Sequence, residues 1–465
     1  MAHEELSEAV AARAREHGVP GAAVGVLLDG RETYAAHGVT SLAAPRPVDE
    51  RTLFHVASVS KTFTATALAR LAAEGAVDLD APVRHHVPEL RLADERAAER
   101  ITVRNLLNHT AGLDWNLIDD GRGDRSLAGF VAALPRLGIV APPGTRSSYS
   151  QAGYNLAGRI VEKVTGLPFE RAMAALVLEP VGLPDTVYGL AEVMVRPFAV
   201  GHHRGEDGAP RPARPWGAFP EGARGDNPGG GLASSARDLL RWARFHLGDG
   251  EGVLPAQALR RMRERTVALR ASSLGDGVGI GWYLRALDRA DGSGVVRGAG
   301  HDGAGNGQSA ELLLVPEHGF AVVALANASP GGHPFTRSVV RWALRHHLGV
   351  VERTPEPVPY DERRARQVVG RYETDALRLD VATDGSRLTL AVDIRPEVRE
   401  AADGGMPPGH PAAAIGFLPG DGDEYLVVEG GLEGERGVFH RDDAGAVTGV
   451  DLGGRLFPRA VATPR

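Results

Sequence analysis

Residues 62–75, Thr-Phe-Thr-Ala-Thr-Ala-Leu-Ala-Arg-Leu-Ala-Ala-Glu-Gly, form a helical pattern that is apolar nearly all round and stops at Gly75. A surface helix needs one polar face, so this segment predicts a helix buried in the core with the rest of the fold built around it. Directly before it stands Ser58-Val59-Ser60-Lys61, the only S-x-x-K in the chain. Spacing i, i+3 puts both side chains on one face, with Ser58 in the first turn and Lys61 deeper. There, unpaired N–H groups and the positive end of the helix dipole can stabilise an oxyanion, and the amine can take a hydroxyl proton. Of 52 basic residues only Lys61 and Lys163 are lysine. Arginine stays protonated, whereas a desolvated amine becomes neutral and basic, so a chain this poor in lysine can keep one where a base is required. Taken alone, the same residues also fit a serine N-cap followed by a surface lysine.

A length of 465 residues exceeds what one core usually supports, and two domains are expected. Hydrophobic and charged contents of 43% and 24% are those of a globular protein. The net charge of -7 argues against a nucleic-acid surface, and the basic run at 260–265 reads as the solvated face of a helix. With no cysteine there is no disulfide, thiolate nucleophile or Cys-based metal site. The acidic start lacks a basic, apolar leader, and no run of about 18 apolar residues follows. A cytoplasmic protein with no membrane or nucleic-acid partner and no cofactor is the expectation.

An amphipathic helix is expected over 4–17, a hairpin over 21–36 turning at Asp29-Gly30, and helices over 103–109, 153–164 and 236–247, the last opened by a capping box at Ser235 to Asp238. Strand patterns return at 281–284, 311–315 and 320–326, and a helix over 336–348 follows. Thr354-Pro355-Glu356-Pro357-Val358-Pro359 reads as a stiff linker. Beyond it, alternating segments at 377–381, 388–394, 425–428 and 447–452 suggest a small β-barrel. The division is therefore 1–350, a linker over 351–361, and a barrel over 362–465.

Other motifs are set aside. Gly298-Ala299-Gly300-His301-Asp302-Gly303 matches G-x-G-x-x-G but is followed by more glycine and a strand instead of a helix. The adjacent pairs His85-His86, His202-His203 and His346-His347 cannot put both rings on one helical face, and no metal site is expected. No G-x-S-x-G occurs, which excludes the α/β-hydrolase nucleophile elbow.

Two further segments give the S-x-x-K its context: Tyr149-Ser150-Gln151, preceding a helix, and His301-Asp302-Gly303-Ala304, leading into a strand. In that order they resemble the three signature elements of the β-lactamase and penicillin-binding-protein superfamily, in the branch of class C β-lactamases, class VIII esterases and D-aminopeptidases. His109-Thr110-Ala111-Gly112-Leu113 and Pro228-Gly229-Gly230-Gly231-Leu232-Ala233-Ser234 are similar to two more family segments. The resemblance spans about 15–348 and implies an α+β fold, an antiparallel sheet flanked by helices with a helical subdomain. The carboxy-terminal barrel resembles the lipocalin-like domain of some relatives.

The resemblance implies that Ser58 attacks a carbonyl to form an acyl-enzyme, that Lys61 and Tyr149 share general base and acid work, and that the N–H groups of Ser58 and Ala304 form the oxyanion hole. It places His301 where many relatives carry the lysine of K-T-G, to orient Tyr149 or bind the substrate's polar end. Gln151, Gly303, Trp115 and Trp216 are the candidate substrate contacts. Two residues depart from the family pattern. Gln151 stands for the usual asparagine and is one methylene longer. His301 replaces a permanent cation with a side chain often neutral at neutral pH, which favours esters or amides lacking an obligatory carboxylate.

Three functions follow. The first is a hydrolase of small esters or D-amino-acid amides and peptides. The second is an acyltransferase or peptide macrocyclase of thioesterase type, which hands the same acyl group to an amine or alcohol. The third is a catalytically silent binding protein, whose sequence mark, loss of Ser, Lys or Tyr, is missing here. The substrate is a small molecule or peptide, and a homo-oligomer is compatible with the sequence.

Overall fold

The computed structural model describes residues 2–117, 123–205, 207–213, 224–401, 409–420 and 422–460. Its larger part is built on an antiparallel sheet whose strands lie in the order Arg31–Gly38, Gly21–Leu28, Phe320–Ala326, Gln308–Val315, Val295–Gly305, Tyr283–Arg289, Gly275–Val278 and Val267–Ser272, with Val350–Val351 added beside Tyr283–Arg289. Alternation along the central strands explains its two buried faces. Val24, Val322, Ala324 and Leu313 pack under the terminal helices Ala2–Glu16 and Gly332–Leu348. Ala23, Val323, Leu325, Leu312 and Leu314 face the opposite way, into the larger core with the Ser60–Ala73 helix.

That helix is the buried one its composition predicts. Phe63 stacks on Trp242 at 4.1 Å between ring centroids. Its threonines satisfy their hydroxyls locally or across the core: Thr62 Oγ1 donates to Val59 O at 2.8 Å, and Thr64 Oγ1 donates to Pro228 O at 2.6 Å. The helix begins at Ser60, later than expected. Ser58 lies in a 3₁₀ turn, Ala57–Val59, ahead of it. The turn is set by Ala57, which holds a positive φ of 44°, a conformation that costs a non-glycine residue about 1–3 kcal/mol and swings the next side chain out of the strand direction.

The Gln151–Thr165 helix is N-capped by Ser150, whose Oγ accepts from Gly153 N at 3.2 Å. Ser235 likewise caps Ala236–Leu247, accepting from Asp238 N at 3.2 Å. The expected capping box is not completed, because the Asp238 carboxylate instead accepts from Asp185 N and Thr186 Oγ1.

Residues beyond the Glu362–Val368 helix form eight antiparallel strands in sequential order from Gly370–Glu373 to Arg455–Pro458. An antiparallel bridge between Tyr372 and Arg459 nearly closes them into a barrel. Leu379, Leu390, Ile415, Tyr425, Phe439, Val450 and Phe457 fill it. The strands His410–Phe417 and Arg436–Arg441 carry Ala, Gly and Arg in place of a clean alternation, and the sequence pattern does not reveal them.

The barrel packs against the first part through polar contacts. Asp114 Oδ2 accepts from Asp375 N at 2.8 Å, Gly138 N donates to Asp375 Oδ2 at 2.7 Å, and Arg270 pairs with Glu424. Most consequential is the turn between Val447–Leu452 and Arg455–Pro458. Tyr149 N donates to Gly454 O at 2.8 Å, and Leu456 N donates to Ser148 Oγ at 3.1 Å. No helix among the described residues is long and apolar enough to cross a membrane.

Candidate active site

The separate motifs of the sequence converge on the Ser58 hydroxyl. Tyr149 OH donates to Ser58 Oγ at 2.6 Å, and Lys61 Nζ lies 3.1 Å from the same oxygen. Lys61 Nζ also donates to Gln151 Oε1 at 2.5 Å and to Gly229 O at 2.6 Å. Burial of Lys61 pushes its pKa well below the ordinary lysine value of 10.5, with Asp226 opposing the shift and Arg455 reinforcing it. Burial raises the Tyr149 pKa, and its hydrogen bond to Ser58 and the nearby Arg455 only partly offset that. Near neutral pH the phenol keeps its proton.

Gln151 fits because of its glycine neighbour. A Cβ on Gly229 would stand 2.2 Å from Gln151 Nε2, so the longer amide fills the space that glycine leaves. Its Nε2 donates to Asp226 O at 3.2 Å and to Asn155 Oδ1 at 3.3 Å. Each polar atom of the Gln151 side chain is thus engaged by the protein around Lys61.

His301 and Gly303 lie within the strand Val295–Gly305, one segment further into the strand than the sequence suggests. Gly303 runs so close to the Ser58 turn that a Cβ would meet Val56 O at 2.2 Å and Ser58 N at 2.8 Å. His301 is buried, and its Nδ1–H donates to Asp302 O at 2.7 Å. Nε2 therefore carries the lone pair, and it is buried without a hydrogen-bond partner. Burial holds the His301 pKa down to about 4, which makes it a neutral acceptor. Its ring lies 6.4 Å from that of Tyr149 and 5.4 Å from that of Tyr283.

His109, of the His-Thr-Ala-Gly-Leu segment, stacks 4.6 Å from Tyr149 and accepts from Ser150 N through Nδ1 at 3.2 Å. It fixes the Tyr149 loop from below. His55 braces the other side, with Nε2–H donating to Gly230 O at 2.7 Å.

One side chain at the site is invisible to motif reading. Arg455, on the barrel turn, lies 5.4 Å from the ring centroids of both Trp115 and Tyr149. Its Nε is buried without a hydrogen-bond partner, and none of its side-chain nitrogens forms an ion pair among the described residues. Burial lowers its pKa, while Tyr149, Tyr283 and Asp114 raise it. Only the glycine pair before it hinted at a tight turn. Trp115 is thus placed at the site, whereas Trp216 lies outside the described residues.

An alcohol held between a desolvated amine and a neutral phenol, on an antiparallel sheet flanked by helices, defines a serine hydrolase. The chain belongs to the β-lactamase family, whose model matches residues 6–346. It is 35% identical to penicillin-binding protein 4 of Amycolatopsis lactamdurans over 389 residues, 80% of this chain and 98% of that one. Esterase EstB of Burkholderia gladioli is 32% identical over 324 residues, covering 62% of this chain and 80% of its own. Among solved structures, SurE superposes with a TM-score of 0.77 at 27% identity, over 98% of this chain and 99% of that one, and a second SurE structure contains D-Leu. The match to SurE takes in the barrel as well as the family domain.

Proposed function

We propose that the protein cleaves small esters or D-amino-acid-containing peptides through an acyl-enzyme on Ser58. The observation that carries this reading is the disposition of hydrogen bonds around Lys61. Gln151 Oε1 and Gly229 O accept only, so a neutral amine gives them its two N–H bonds and turns its lone pair toward Ser58 O–H. Lys61 takes that proton as Oγ bonds to the substrate carbonyl carbon. The resulting ammonium is satisfied by three oxygens at once. The N–H groups of Ser58 and Ala304 hold the developing oxyanion. Tyr149 donates its proton to the departing oxygen or nitrogen as the old acyl bond breaks, and recovers one from Lys61. Water repeats the sequence in reverse and frees the acid. Gln151 serves by holding Lys61, Gly303 by letting the strand approach Ser58, and His301 Nε2 by accepting an N–H or O–H from the substrate.

Arg455 alters the substrate preference that His301 alone suggests. The barrel supplies a cation beside Tyr149 and Trp115 that makes no direct ion pair among the described residues, with Asp114 acting on it only from a distance, and a substrate carboxylate is its natural counter-ion. This favours a D-residue peptide or depsipeptide that keeps a free carboxylate over a neutral acyl ester, a preference in keeping with the D-Leu found in a SurE structure. A second reading rests on the barrel turn bonded to Tyr149 N: by covering the phenol it restricts water there and favours transfer of the acyl group to an amine, including ring closure of a peptide.

The test compares kcat/KM for a short achiral ester, an N-acyl-D-alanyl ester with the same neutral leaving group, and the same D-alanyl ester with a carboxylate-bearing leaving alcohol, with Ser58→Ala as blank. Preference for the carboxylate-bearing D-alanyl ester is expected. Turnover that survives Ser58→Ala would eliminate the acyl-enzyme. Adding an amine and analysing the products separates hydrolysis from acyl transfer.

A further inference from the structure

Away from Ser58, a cleft of about 460 Å³ opens where the Phe169–Met173 helix and the segment after it face the strand Val187–Tyr188 and the short helix Leu190–Met194. Leu178, Leu183 and Val187 supply apolar wall, while the carboxylates of Glu170 and Glu192 stand at the polar side. Tyr188, which also lines the cleft, is 4% exposed, and its hydroxyl is buried with no hydrogen-bond partner. A buried phenol without a partner is destabilising unless a ligand satisfies it. Burial raises the Glu192 pKa, with Glu170 adding to the shift and Arg196 and Arg171 opposing it. Glu170 Oε2 lies 3.7 Å from Arg224 Nη1, and Arg196, the one cation among the lining residues, donates from Nη1 to Glu192 O at 2.6 Å.

We propose that this cleft binds a primary alkylammonium group, its N–H bonds going to Glu192, Glu170 and the Tyr188 hydroxyl and its chain lying on the apolar wall. An ammonium with an apolar stem answers each feature at once: the excess negative charge, the lone pair of the Tyr188 oxygen, and the aliphatic lining. A metal ion answers them less well, since no described group of His, Asp or Glu is disposed to hold one.

The site is mechanically linked to the Ser58 centre. Glu170 Oε1 accepts from Asn227 Nδ2 at 2.7 Å, and Asn227 opens the short Asn227–Gly230 helix whose Gly229 O accepts from Lys61. An ammonium that engages Glu170 competes with Asn227 and alters the hold on Lys61.

Calorimetry on full-length Ser58→Ala, which cannot consume an amine by acyl transfer, gives the direct test. Hexylammonium chloride should bind at one saturable site. Glu192→Gln and Tyr188→Phe, checked for folding by thermal melting, should each weaken binding, the former by at least about tenfold. Hexanol binding equally well, Glu192→Gln leaving affinity unchanged, or no saturable heat up to roughly 10 mM would each overturn the site. N-acetyl-lysine methylamide tells a peptide-borne ammonium from a free amine, and binding of either supports the assignment. In the wild type, saturating hexylammonium should change the acylation burst with a chromogenic ester by about twofold or more. An unchanged burst alongside intact binding would overturn the link to Lys61.

Discussion

The helix-and-sheet domain and the barrel contribute to the site in opposite ways. In the first, the groups proposed to move protons near Ser58 are held more than once: Lys61 by Gln151 and Gly229, and the Tyr149 loop by His109 and the Ser150 cap. In the barrel, Arg455 is carried by a turn bonded through Gly454 O and Leu456 N and lies over the Trp115 and Tyr149 rings, and its guanidinium makes no direct ion pair among the described residues. Groups that move protons need fixed geometry before substrate arrives. A group that recognises substrate charge must be left unsatisfied until then.

The largest effect that would break this contrast is at the over-determined end. Lys61→Ala removes the base and leaves Gln151 Oε1 and Gly229 O without their donor. The acylation rate should fall on the order of 10³-fold or more in stopped-flow assays. Retention of a tenth of the activity would mean that Tyr149 is the base.

Arg455→Ala comes next and should divide substrates. For a carboxylate-bearing D-alanyl ester, kcat/KM should drop by roughly 10–100-fold, chiefly through KM, while a neutral ester changes less than about threefold. An equal loss on both would move the guanidinium from substrate recognition to support of Tyr149.

Gln151→Asn sharpens the contrast from within the first domain. Shortening the amide withdraws an acceptor that stabilises the charged amine. Because loss of that acceptor favours the neutral form, the Lys61 pKa should fall further below 10.5. The rising alkaline limb of kcat/KM against pH should then move to lower pH, with kcat reduced about tenfold by looser positioning of Nζ. His301, with a pKa near 4, should add no limb above pH 5 in either protein.

What the sequence discloses follows the same divide. The buried helix and the Ser58–Lys61 pair are legible from their pattern and spacing, whereas Tyr149 and His301 are picked out by the family resemblance of their short segments, and the structure brings the four side chains together. The start of the helix is misplaced because Ala57 adopts a positive φ that no propensity anticipates. Arg455 is illegible for a different reason. Its meaning depends on docking between parts of the chain some 300 residues apart, Ser148 and Leu456, and the pairing of such parts leaves no local pattern. The amide of Gln151 reads as a departure in sequence, and only the missing Cβ of Gly229 shows how the site accommodates it.

The smallest effect concerns the stability of the turn that carries Arg455. Asp451 is the penultimate residue of the Val447–Leu452 strand before that turn. Its carboxyl is buried, with one oxygen unpartnered, and burial raises its pKa from 3.8 to about 8 against the opposing hydrogen bond from Gly454. The folded state therefore keeps a proton that the unfolded chain releases near pH 4. Stability should be greatest below pH 4, decline as pH rises toward about 8, and level off above it. Asp451→Asn replaces the carboxyl by a neutral group of the same shape. It should leave the melting temperature near pH 3.5 almost unchanged and raise stability progressively above pH 4, by at least about 1 kcal/mol at pH 9. Equal melting of the two proteins at both pH values would show that Asp451 is solvated in the folded state, and that the turn over Tyr149 is looser than its hydrogen bonds to Tyr149 N and Ser148 Oγ indicate.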